Sequence, residues 1–393
     1  MFWPGLMKAR ALLRRIWIAF LFCSGLLRWA KWRLAARGGI VVLTFHRVLS
    51  DADFALTNSP LGMAVRERTF EQLAEHLARE YETVDLGVGA PEWTRGGSQP
   101  RIAITFDDGW ADNATTAFPI ARRQGLPWTI FVCPERVGRP FPFWPERVVA
   151  LWRIAECRGM TRQLLQMLSE EVEPGASDAG RLGREKTLKS FIERLKTFSA
   201  EQRNAVMSRM AEYISPGLDT ADTVDVTMTW QEIEGMACCG VTIGSHTLSH
   251  PILTRISPFE AQREITESKR VIERKLRREC GLFAYPNSEW SLRVREQVAQ
   301  AGYEMAFAYG PGVWTRDSDP FVIPRINIWE GHLVGPSGRF SRKAFEYAVF
   351  WKAYRTKNTL PVRTRGADAK QGAAAKENRT SPFNQLKSAE RRG

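Results

Sequence analysis

A chain of 393 residues with 44% hydrophobic and 25% charged residues has the makeup of a folded globular protein. That excludes a wholly disordered chain, a collagen-like repeat and a multi-span membrane protein. The formal net charge is +13, but it sits at the ends: residues 1–39 hold eight basic and no acidic side chains, and residues 362–393 hold eight basic and three acidic ones. The body between them is neutral, so no nucleic-acid partner is expected.

Within the basic N-terminal segment (1–39), Ile16–Leu27 is uncharged but only about 18 Å long as a helix, too short to span a bilayer alone. Arg14-Arg15 before it and Arg28, Lys31 and Arg33 after it frame apolar residues and Trp17, Trp29 and Trp32. This pattern predicts an anchor lying on an anionic membrane surface. The expected location is cytoplasmic and peripheral on the inner membrane, the alternative being export with an uncleaved N-terminal anchor. The six cysteines (Cys23, Cys133, Cys157, Cys238, Cys239, Cys280) form no CxxC pair and are expected to be small buried thiols.

Short β-branched runs follow along the body: Ile40–Phe45, Arg101–Phe106, Trp128–Cys133, Val241–Ser245, Leu282–Tyr285, Glu304–Ala308 and Phe321–Ile328. Their nearly continuous hydrophobicity suits parallel strands buried on both faces. Helical patterns alternate with them at Thr69–Arg79, Trp110–Gln124, Ser257–Arg277 and Arg293–Ala301. The alternation predicts an α/β fold over residues 40–335. Residues 140–227 break the rhythm. Leu188, Phe191, Ile192, Leu195 and Phe198 share one helix face and Val206, Met207 and Met210 another, with a loop expected at Glu173–Gly183. This reads as a helical insertion on the rim. A C-terminal helix is expected at 336–361, followed by a disordered basic tail at 362–393.

Four strand ends carry polar residues: His46 after Phe45; Asp107-Asp108-Gly109 after Phe106; His246 and His250 after Ser245; Pro286-Asn287-Ser288 after Tyr285. In an α/β barrel the C-terminal strand ends share one mouth. Asp108, His246 and His250 then make a metal site: two imidazoles and a carboxylate suit Zn²⁺, with Co²⁺ or Ni²⁺ also fitting. The His-x-x-x-His spacing places the imidazoles on adjacent turns if residues 246–250 coil helically. Asp107, pointing away from its neighbour in an extended segment, is left to act as general base on a water held by the cation.

Thr105–Gly109 (TFDDG) and Ser245–Pro251 (SHTLSHP) resemble two motifs of the NodB-homology polysaccharide deacetylases, carbohydrate esterase family four. Leu43–Val48 and Phe283–Ser288 resemble segments of the bacterial surface-polysaccharide branch of that family. The resemblance covers roughly residues 40–330. It implies a distorted (β/α) barrel of about seven strands and metal-dependent removal of N-acetyl groups from an amino sugar of a polysaccharide or glycolipid. Asp107 is then the base, Asp108, His246 and His250 the metal ligands, and the Asn287 backbone N–H an oxyanion donor. His46 is the first choice for the acid that protonates the leaving amine, and His332 the second. Ala284 stands where many members carry an arginine that steadies the catalytic aspartate, a role Arg325 is placed to take over. Trp110, Tyr285, Pro286 and Arg325 are the expected substrate contacts, with Trp144 and Trp314 as further stacking candidates; His76 is expected to be exposed. The alternatives are a deformylase or deacetylase of a lipid-linked sugar, and a non-catalytic carbohydrate-binding protein on the same fold.

Overall fold

The computed structural model describes residues 4–87, 100–140, 143–168, 184–214 and 224–355. The expected loop at Glu173–Gly183 and tail at 362–393 lie outside the described residues. Nine strands form: β1 (Ile40–Phe45), β2 (Arg47–Leu49), β3 (Ala64–Arg66), β4 (Arg101–Phe106), β5 (Thr129–Val132), β6 (Thr242–Ser245), β7 (Leu282–Ala284), β8 (Met305–Tyr309) and β9 (Ile323–Asn327). Seven of them close a parallel barrel in the order β1-β4-β5-β6-β7-β8-β9, while β2 and β3 pair separately. The continuous apolar runs have their cause here: β1, β5 and β7 are buried at every position, one face toward the barrel axis and the other toward helices. Gly244 is required where β6 passes β5, since a Cβ there would sit 2.6 Å from the Phe131 ring.

The helices fall close to the sequence pattern at Glu67–Glu80, Pro258–Leu276 and Leu292–Gln300. Ser257 and Glu260 form a reciprocal capping box that fixes the start of the second of these. The helix expected from Trp110 forms over residues 111–123 with a π-turn at Asn113–Ala117, while Trp110 itself bridges to Thr227. The Asn113 amide is drawn aside to donate to the His46 carbonyl (2.8 Å).

The insertion after β5 contains helices Trp144–Cys157, Thr161–Met167, Arg184–Leu195 and Ala200–Ile214. It has its own core, in which Trp152, Leu164, Phe191, Leu195 and Met210 are buried together. The chain re-enters the barrel through Val226 and Thr227, which bridge to Pro140 and Trp110. Arg47 fastens this junction: its guanidinium stacks over the Trp110 ring (4.3 Å), pairs with Asp112 (2.8 Å) and with Asp225, and donates to the Val224 carbonyl (2.8 Å).

At the N-terminus, Ser24-Gly25 splits the apolar run into helices Pro4–Cys23 and Leu26–Ala36, the turn using the left-handed Gly25 (φ 78°). The second helix is not a free anchor. It buries Leu27, Ala30, Leu34 and Ala35, and Lys31 pairs with Glu346 (3.2 Å). Glu346 belongs to the C-terminal helical run, Arg342–Arg355 with a π-turn at Tyr347–Trp351. Among the described residues, no helix is long and apolar enough to cross a membrane. Two further expectations change. His76 is buried, ringed by Tyr81, Phe340 and Phe345, because its helix turns that face toward the C-terminal run. Of the cysteines only Cys133 and Cys280 are buried; Cys23, Cys157, Cys238 and Cys239 are exposed on helices or helix ends.

Candidate active site

The barrel gathers the polar strand ends at one mouth. The Asp107 N–H donates to the Phe45 carbonyl (3.0 Å), the last bond before the ladder ends. Asp108 (φ 74°) and Gly109 (φ 72°) then take left-handed backbone, which sends the two neighbouring carboxylates in different directions. That conformation costs a non-glycine residue about 1 kcal/mol or more and persists only where the surroundings enforce it.

His246 and His250 do come together, but not on a helix. Thr247 (φ 68°) and His250 (φ 69°) are left-handed, and residues 246–250 form a tight loop. The His250 N–H donates to Thr247 Oγ1 (3.0 Å), while the Glu264 carboxylate accepts from the N–H groups of Leu248 (2.9 Å) and Ser249 (2.8 Å). The imidazole centroids lie 4.9 Å apart. Each Nε2 is 3.5 Å from Asp108 Oδ1. His246 donates its Nδ1–H to the Ala284 carbonyl (2.8 Å), which leaves the Nε2 lone pair facing the carboxylate.

One ligand atom from each of Asp108, His246 and His250 falls within a 4.8 Å cluster. Asp108 Oδ2 accepts from Trp110 Nε1 (3.2 Å), and the buried Oδ1 has no hydrogen-bond partner among the described residues. Burial, then the Asp107 charge, pushes the Asp108 carboxyl up to about 8. Burial likewise lowers both imidazoles, which are therefore neutral donors. A buried carboxylate oxygen without a hydrogen-bond partner among the described residues, with two neutral imidazole lone pairs converging on it, fits a divalent metal ion.

Asp107 is fully buried beside this cluster. Arg325 grips it with two parallel bonds, Nη1 to Oδ1 and Nη2 to Oδ2, both 2.8 Å. Tyr309 donates its hydroxyl to Oδ2 (2.6 Å). Burial alone would raise this carboxyl, but the Arg325 guanidinium and the nearby imidazoles hold it well below the usual carboxylate range. Because the Tyr309 proton goes to Asp107, the Tyr309 oxygen accepts from His46 Nε2 (2.8 Å). Burial lowers His46 to about 4, so it is neutral, with its one N–H committed to Tyr309. That argues against His46 as the acid. His332, the second choice, turns Nδ1 to the Asn327 carbonyl (3.1 Å) and does not line the cavity.

A cavity of about 860 Å³ opens above the site, lined by His46, Asp108, His246, His250, Asn287 and Tyr309 at its floor and by insertion helices at its side. All four expected substrate contacts are absent from its walls. Trp110 is fully buried, packed on Phe143 and bonded to Asp108. Tyr285 is fully buried, its hydroxyl on the Phe321 carbonyl (2.9 Å). Arg325 is fully buried against Asp107 and outside the lining. Pro286 is also buried and outside the lining, whereas Asn287, left-handed at φ 52°, is in it. Trp144 lines the cavity; Trp314 bridges to Ile40 at the opposite end of the barrel. Tyr309 was not singled out by the sequence. Its signal was available, as the polar residue closing the sixth barrel strand.

A family model described as polysaccharide deacetylase matches residues 94–175 and 189–306, just over half of the chain. YxkH of Bacillus subtilis, a protein assigned by name to the polysaccharide deacetylases, is 25% identical over 104 residues. That match covers 26% of this chain and 37% of the relative's length. Among solved structures, the Streptococcus pyogenes deacetylase PplD in complex with acetate superposes at TM-score 0.46 and 16% identity, covering 75% of this chain and 94% of that one. IcaB from Ammonifex degensii gives TM-score 0.45 and 16% identity, covering 80% and 97%. The barrel, its Asp-Asp-Gly turn and the match to the family model lead to one conclusion: the chain belongs to the polysaccharide deacetylase family.

Proposed function

We propose that the chain hydrolyses an N-acetyl group of an amino sugar, within a polysaccharide or a glycolipid, using a divalent cation held by Asp108, His246 and His250. The observation that carries this reading is the division of labour between adjacent carboxylates: Asp108 is buried with Oδ1 facing the His246 and His250 Nε2 atoms, and Asp107 is buried and held by Arg325. When bound, the cation, Zn²⁺ by the donor set, polarises the acetyl carbonyl and acidifies water. Asp107 accepts the proton of the attacking water. A carboxylate held so far down its range is a weak base, and it suffices because the water is already acidified. Arg325 and Tyr309 keep both of its oxygens in place, and the Asn287 backbone N–H is the donor for the developing oxyanion.

The test is acetate release from N-acetylated oligosaccharides, with and without chelator. Asp107→Asn should keep bound metal and lose turnover; Asp108→Ala should lose both. Full acetate release by Asp107→Asn overturns the assignment. Bound metal with no acetate release by the wild type from any N-acetyl or N-formyl sugar would favour a carbohydrate-binding role.

The N-terminal surface favours a lipid-linked substrate at the cytoplasmic face of the inner membrane. Leu12, Leu13, Ile16, Trp17, Phe20, Trp29 and Trp32 are all large, apolar and exposed, beside the exposed Arg14, Arg15, Arg28 and Arg33. Water-facing tryptophan among arginine, with no acid in the segment, matches an anionic bilayer surface. Cosedimentation with phosphatidylglycerol vesicles should exceed that with phosphatidylcholine vesicles and weaken with salt; equal recovery with both, or with neither, would end this reading.

A further inference from the structure

The reaction needs a proton for the departing nitrogen; His46 has its one N–H committed to Tyr309 and His332 lies outside the cavity lining, so neither is free to give it. Glu146 is. It stands in the first turn of the insertion helix Trp144–Cys157 and lines the cavity, yet is only 2% exposed. Its Oε2 is buried without a hydrogen-bond partner among the described residues. Phe143, just before the helix, packs edge-on against the His250 ring (4.9 Å) and the Trp110 ring (5.3 Å). The start of the insertion is thereby pinned to the metal ligands.

We propose that Glu146 is the catalytic acid that protonates the leaving amine, an inference that rests on the deacetylase reading above. Its surroundings favour a neutral carboxyl. Burial raises it well above the ordinary range, and the Arg47 guanidinium that opposes this is already paired with Asp112 and Asp225. Topology brings the two groups to the mouth from neighbouring connections: Asp107 closes β4, Glu146 arrives after β5, which pairs with β4, and Tyr309 and Arg325, which hold Asp107, come from β8 and β9. In the step itself, water oxygen bonds to the acetyl carbon and its proton goes to Asp107. The C–N bond then breaks, its electron pair stays on nitrogen, and nitrogen takes the Glu146 proton. Acetic acid and a free amine leave, the acid then passing its proton to solvent or to the amine; solvent reprotonates Glu146 and removes the proton from Asp107.

The experiment compares wild type, Glu146→Gln and Glu146→Asp on two substrates, an N-acetylated amino-sugar oligosaccharide and an aryl acetate, whose phenolate departs without a proton. Zinc content and Tm are read alongside. Glu146→Gln should lose about 100-fold or more of the amide turnover, keep the ester turnover within about twofold, and retain zinc. Glu146→Asp should recover part of the amide rate, and serves as the measured variant if the glutamine form does not fold. Equal losses on amide and ester, or undiminished amide turnover in Glu146→Gln, overturn the acid assignment alone. Wild type that binds zinc but releases no acetate from any amino sugar overturns the deacetylase reading, and this proposal with it.

Discussion

Arg325 on the last barrel strand grips Asp107 on the second with two parallel 2.8 Å hydrogen bonds, and both side chains are fully buried. The consequence is directional. Both Asp107 oxygens are held, and the guanidinium keeps the carboxyl well below the usual carboxylate range.

Arg325→Lys should therefore keep the charge and lose the fork. Turnover is expected to fall by about 10²-fold, on the scale of a misplaced base, while bound metal stays near one equivalent because Asp108, His246 and His250 are untouched. Arg325→Ala should be worse for a different reason. It leaves an unpaired buried carboxylate, a loss of about 3–5 kcal/mol, visible as a large drop in Tm. Wild-type turnover in Arg325→Lys would show that the fork does not position the base.

Tyr309→Phe isolates the second contact. The hydroxyl links His46 Nε2 to Asp107 Oδ2, and burial raises it well above its ordinary range, so it stays protonated and donating. Its removal leaves Arg325 in place but frees one lone pair of the base. Metal content should not change, and kcat should fall about tenfold with KM little altered, in line with the cost of about one hydrogen bond to a charged group. A rise in KM at constant kcat would instead assign Tyr309 to substrate binding.

Metal removal should have a pH signature with a defined sign. Without a cation, Asp108 is raised from its ordinary value to about 8. A group raised on folding contributes most below its unfolded value and loses that contribution as pH climbs through the folded one. Chelated protein should therefore lose thermal stability between about pH 4 and pH 8. The Tm gap between zinc-loaded and chelated samples should widen over the same interval. A gap that is constant with pH would place the cation elsewhere.

The strands were legible because burial on both faces leaves long apolar runs, and the metal ligands because they close those runs. What the sequence hid depends on packing between distant segments. Trp110 follows the Asp-Asp-Gly turn as a loop tryptophan should, yet Arg47 stacks over its ring and Phe143 packs against it, and nothing local announces either partner. His250 was reachable by spacing but for the wrong reason, since the spacing is served by two left-handed residues and not by a helix. Glu146 was invisible because the insertion that carries it could equally have packed away from the site.

Asp225→Asn tests whether the insertion is held to the site from its far end. Asp225 is fully buried and accepts from the Arg47 guanidinium, the Thr57 hydroxyl (2.7 Å) and both the backbone (2.8 Å) and side-chain (2.9 Å) nitrogens of Asn58. Asparagine keeps the shape but brings an N–H₂ toward donors and removes one of the two charges balancing Arg47. Breaking such a pair costs about 3–5 kcal/mol when the remaining charge stays buried; Asp112, still 2.8 Å from Arg47, should hold the loss to the lower part of that range. The readout that separates this from plain destabilisation is local. Hydrogen exchange should rise in the chain entering and leaving the insertion, around Trp110 and Met228, before it rises in β1 or β4. Zinc affinity should weaken, since Trp110 holds Asp108 Oδ2 and is itself stacked under Arg47. Uniform exchange gains across the barrel, with unchanged zinc affinity, would mean that this network stabilises the fold without steadying the metal site.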